Sequence, residues 1–78
     1  MPTIQRFGAS KICLYADDHR PPHFHIVGRE FQVLVAIGDL TVIAGRARAA
    51  ELAEAMEWAR QNRALLARRW AELNERDA

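Results

Sequence analysis

The feature that most restricts the fold is a change of composition at Gly45. From residue 46 onward the chain has neither glycine nor proline, and Ala, Glu, Arg and Leu dominate. Ahead of Gly45, β-branched and aromatic residues alternate with polar ones between turn signals. Such a chain places a sheet first and helices after it, an α+β order. Seventy-eight residues suffice for one domain with a modest core. The expectation is a single domain over 1–78, with a β-sheet part at 1–45 and a helical part at 46–76.

Strand signals run through the first part. Thr3–Phe7 is a short strand ending at Gly8. Lys11–Ala16 alternates, with Ile12, Leu14 and Ala16 on one face and Cys13 and Tyr15 on the other. DDHRPP at Asp17–Pro22 is a loop, because the proline pair donates no ladder hydrogen bonds; both of its X–Pro bonds are expected to be trans. His23–Val27, Phe31–Ile37 and Leu40–Ala44 complete a small meander-like antiparallel sheet of 4–5 strands, with Gly38-Asp39 as a two-residue turn.

The second part has helical periodicity. Glu57/Arg60, Arg68/Glu72 and Glu72/Arg76 set opposite charges three or four residues apart on an exposed face. Leu52, Met56, Ala59, Leu66, Trp70 and Leu73 form an apolar stripe broken only by Arg63. Asn62 and Arg63 therefore predict a kinked helix pair packed on one face of the sheet, with one continuous helix as the competitor. Trp70 belongs to the stripe. Trp58 lies off it, and would cover a sheet edge or face a partner.

Strand parity decides where the chemistry goes. A slip of one residue in pairing exchanges the two faces of a strand. If Gly28–Glu30 were a three-residue loop, His25 would lie beneath the helices beside Val33. If the loop is one residue longer and Ile26 opposes Phe31, Phe24 and Ile26 join Val33 and Val35 instead. Burying two unpaired imidazoles costs several kcal/mol, whereas burying Phe and Ile gains roughly 1.5–3 kcal/mol each. The second parity is expected. His23 and His25 then look outward from the face opposite the helices, with Cys13, Tyr15, Gln32, Leu34, Ala36, Thr41 and Ile43. Leu34 and Ile43 make that face too apolar to be simply solvated. Cys13, Tyr15, His23, His25, Leu34 and Ile43 are therefore candidate partner-binding residues, for a homodimer or a small cognate protein.

Bulk composition narrows the classes further. Formal net charge is +1, from 11 basic and 10 acidic residues, with no polyanion footprint. The charges are spread evenly along the chain, and Arg60, Arg63, Arg68 and Arg69 alternate with glutamates, so nucleic-acid binding is weakly supported and a solvated face is favoured. Cys13 is the single cysteine, which suits a reducing, cytoplasmic setting. MPTIQRFGAS carries no secretory apolar run, and no window is apolar enough to span a membrane.

Three chemistries fit the histidines. His19, His23 and His25 could bind zinc or nickel, because an H-x-H pair on one strand points both rings the same way. Asp17, Asp18 or Cys13 could complete such a set. The same three histidines could act as general acid and base on a phosphodiester, with Tyr15 or Arg20 stabilising charge. Alternatively they only shape the loop by hydrogen bonding. Cys13 as a nucleophile is disfavoured, since a lone strand cysteine is usually inert packing.

The N-terminal MPTI, the run DH-x-PPHFH (Asp18, His19, Pro21, Pro22, His23, Phe24 and His25) and the two tryptophans resemble a small bacterial family, domain of unknown function 4160. The resemblance covers nearly the whole chain and carries no established catalytic residues. Members are often encoded beside a second small protein, and such pairs are proposed as toxin–antitoxin-like modules. The resemblance thus implies one half of a two-gene module; the partly apolar second face and the lack of a complete catalytic set favour action mainly by protein–protein interaction, in the cytoplasm. The alternative is a histidine-dependent nuclease-like toxin, with or without a divalent metal.

Overall fold

Alternation ahead of Gly45 builds a meander. The computed structural model describes residues 3–16 and 20–74. Its strands are β1 (Thr3–Arg6), β2 (Ser10–Cys13), β3 (His23–Gly28), β4 (Gln32–Ala36) and β5 (Val42–Ala44), antiparallel and adjacent in chain order. Two helices follow, α1 (Ala49–Gln61) and α2 (Arg63–Asn74). Both pack on one face of the sheet, so the architecture is α+β as expected. No helix among the described residues is long and apolar enough to cross a membrane.

The parity of β3 is the expected one, reached through a different turn. Ile26 opposes Val33, and Phe24 opposes Val35. All four are fully buried, with Ile12, Leu14, Leu52, Ala55, Ala59, Leu66 and Trp70 around them. The expected pairing of Ile26 with Phe31 is wrong. The connection is shorter than a three-residue loop, not longer. Gly28 N–H donates to Phe31 O at 2.9 Å, leaving Arg29 and Glu30 as a two-residue turn. Shortening the loop by two residues preserves the faces. Gly28 makes this tight turn feasible, because the Phe31 ring lies where any β-carbon at 28 would sit.

The β4–β5 connection also departs from expectation. Ala36 N–H donates to Thr41 O at 2.9 Å and Leu40 N–H to Ala36 O at 2.9 Å. The loop is therefore Ile37–Leu40, and its left-handed residue is Leu40 (φ 59°), not Gly38. Asp39 is the physical cause: its Oδ1 accepts from Thr41 N–H at 3.1 Å and from the Thr41 hydroxyl at 2.8 Å. Those bonds, with Arg63 nearby, hold the Asp39 carboxyl below its ordinary pKa. A bulge follows, since Leu34 opposes Ala44 while Val35 opposes Val42. Ile43 is its extra residue, set beside Ala44. The Arg20–Pro21 peptide is cis rather than trans, a small step for a tertiary amide.

The helix break falls at Asn62. Its side chain donates to Trp58 O at 2.8 Å, and its N–H reaches Ala59 O, which closes α1 early. Arg63 interrupts the apolar stripe because it anchors the sheet: its guanidinium donates to Ile37 O at 3.3 Å and to Gly38 O. Trp58 meets Phe7 edge to face at 6.3 Å and covers the β1 side of the sheet. At the other junction Gly45 has φ +87°, and a β-carbon there would collide with the Gln32 carbonyl. Gly45→Ala should therefore lower unfolding free energy by roughly 1–3 kcal/mol. Gly8→Ala, with open space around it, should be neutral or add up to about 1 kcal/mol. Urea unfolding of both variants checks the contrast.

Candidate functional site

The sheet face opposite the helices carries the histidines. Cross-strand pairing lays Thr3, Cys13, His25, Leu34 and Ala44 in one row, with His23 opposite Ala36 in the next. Tyr15 follows β2 and meets the His25 ring edge-on at 4.5 Å. The two imidazoles are 5.2 Å apart, centre to centre. Pairing thus gathers Cys13, Tyr15, His23, His25 and Leu34 on this face. Ile43 lies at its β5 margin and lines a largely apolar groove of about 550 Å3, with Pro21, Pro22 and Ala36, that runs round the end of the sheet to Ala67 of α2. His19, Asp17 and Asp18 lie outside the described residues.

Facing away from the helices does not make the rings outward-looking. His23 is 1% exposed and His25 9%, and Cys13 is buried beside them. The expectation of solvent-facing imidazoles is corrected here. Each ring is hydrogen-bonded at Nδ1, which offsets part of the cost of removing it from water. His23 Nδ1–H donates to Pro21 O at 2.8 Å. The next residue pins the same segment to the sheet, as Ile37 N–H donates to Pro22 O at 3.0 Å. Gln32 Nε2–H donates to His25 Nδ1 at 2.9 Å.

These bonds fix the protons. A carbonyl oxygen only accepts, so His23 carries its proton on Nδ1. An amide nitrogen only donates, so His25 Nδ1 is unprotonated and the ring's proton is on Nε2. The pair is held in opposite tautomers, an arrangement that can present one basic and one acidic ring nitrogen. Gln32, treated in the sequence only as one more residue of the face, is the group that orients His25. Its position seven residues on, at the same strand parity, was the available signal. Arg20, a candidate for charge stabilisation, places its guanidinium 5.6 Å from the centre of the Trp70 ring. No group of three or more His, Cys, Asp or Glu side chains suited to a metal ion occurs among the described residues.

Histidine-edited 1H–15N NMR at neutral pH should show His23 as the Nδ1–H tautomer and His25 as the Nε2–H tautomer. Gln32→Leu should shift the His25 Nδ1 signal, which loses its donor, by more than it shifts the His23 ring signals. Identical tautomers in the wild-type protein would contradict the geometry.

No curated protein and no solved structure matches the chain. A family model does, that of Domain of unknown function (DUF4160), over residues 10–71, which include β2 to α1, both histidines of β3 and most of α2. The chain belongs to the DUF4160 family.

Proposed function

We propose that this chain is one half of a cytoplasmic, toxin–antitoxin-like two-gene module and acts by binding its small cognate protein through the sheet face opposite the helices. The observation that carries the reading is the apolar character of that face. Tyr15 is 36% exposed and Ile43 46% exposed, beside half-buried Leu34 and the proline-lined groove. Single exposed apolar residues are ordinary on a monomer; several on the same side of the sheet, around a buried centre, suit a protein contact. The buried histidine pair stiffens the centre of the face and keeps Tyr15 in place, which lowers the ordering cost of binding.

The enzyme reading, a nuclease-like toxin working through His19, His23 and His25, with or without a divalent metal, is less well supported. Imidazoles that are 1% and 9% exposed offer a substrate little access.

Co-expression with the protein encoded next to this chain tests the proposal. A stable complex is expected. Tyr15→Asp with Ile43→Asp should weaken it by about tenfold or more, while Arg68→Ala on the exposed helical surface should leave it unchanged. No complex, or equal affinity in all three proteins, rejects the reading. Self-association that alone responds to Tyr15→Asp and Ile43→Asp would replace the cognate protein with a second copy.

A further inference from the structure

The charges ahead of Gly45 balance in sequence but not in space. Pairing of β1 with β2 sets Arg6 directly opposite Lys11, and Lys11 in turn opposes Val27. The β3–β4 turn adds Arg29, next to Gly28, whose partner is Ser10. Arg6, Lys11 and Arg29 line one groove of about 430 Å3 together with Phe7, Ser10 and Val27, and no carboxylate among the described residues borders it. Among the described residues, none of these three cations makes an ion pair or a side-chain hydrogen bond. Arg29 also borders a second groove, shared at Ala9 and Ser10, which reaches α1 and is lined by Glu30, Glu51 and Glu54.

This arrangement is unfavourable for the empty protein. Like charges directly opposite on antiparallel strands have Cβ atoms about 4.5–5.5 Å apart and destabilise the pair. A bound anion converts that repulsion into attraction. Arg6 and Lys11 set opposite each other, with Arg29 at the adjoining turn, call for more than one negative charge, which a single carboxylate does not supply. Guanidinium groups also match phosphate oxygens in a two-pronged geometry, with lysine as a point charge.

From these features we infer that the groove is a phosphoryl-anion site. Arg6 and Arg29 bind its oxygens through their guanidinium groups and Lys11 through its ammonium group. The site is distinct from the imidazole pair, since Lys11 stands two residues before Cys13 on the same face, about 7 Å away along the strand. It does not depend on the proposed protein partner. A small phosphate ester and a nucleic-acid backbone share this chemistry.

Two probes distinguish those sources: inorganic pyrophosphate, followed by its effect on thermal unfolding, and a short fluorescent oligouridylate, followed by anisotropy at low salt. Pyrophosphate should raise the wild-type melting temperature. Arg6→Gln with Lys11→Gln should abolish that rise and should unfold at a higher temperature than wild type without pyrophosphate. Lys11→Gln alone should weaken binding by about tenfold, and Lys11→Arg should restore it. Binding of pyrophosphate alone assigns a small phosphate ester, whereas oligouridylate binding assigns a nucleic-acid backbone. If neither probe binds the wild type, or both bind Lys11→Gln as tightly as wild type, the site does not exist.

Discussion

The structure depends on the pairing of Phe24 with Val35 and Ile26 with Val33. These four side chains form the sheet's contribution to the core beneath α1 and α2. Burying the Phe and Ile is worth roughly 1.5–3 kcal/mol each, and the opposite parity would place two imidazoles under the helices. Everything on the other face follows from that choice, because a strand cannot move one side chain across without moving its neighbours. Gly28 permits the tight turn that sets the register. Gly45 lets the chain leave β5 close to Gln32 on its way to α1.

The second face is not a solvated surface with two histidines on it. A carbonyl of the proline loop and an amide from β4 hold the rings in place, with Tyr15 against one of them. A buried polar pair of this kind is costly if any bond is lost, so it makes a rigid centre. Around it the face divides into two regions. An apolar margin runs toward Pro21, Pro22 and Ile43, and a cationic end is built from Arg6, Lys11 and Arg29. Their chemistries differ, which is why the two are assigned different occupants.

Much of this was legible in the residues, for identifiable reasons. The change at Gly45 reports the sheet-then-helix order because loss of Gly and Pro coincides with helical spacing. The break at Asn62-Arg63 was visible as an interrupted stripe, although only the structure shows Arg63 turning back to the Ile37 and Gly38 carbonyls. The faces of β3 follow from counting alternate residues. Turn lengths did not follow. A glycine beneath the Phe31 ring and an Asp39 carboxylate that captures Thr41 are tertiary details, and each displaced a turn by a residue or two. The burial of the histidines was missed because strand parity assigns a face, not its cover. The cationic groove was missed because balanced totals hide which charges pairing brings together.

Proton–proton contacts of the aromatic side chains of β3 measure its parity directly. In a NOESY spectrum the His25 ring protons should contact the Tyr15 ring and the Leu34 methyls, and the Phe24 ring should contact the Leu52, Leu66 or Trp70 side chains. Cross-peaks from the His25 ring to those helical residues, with Phe24 lacking them, would contradict the account.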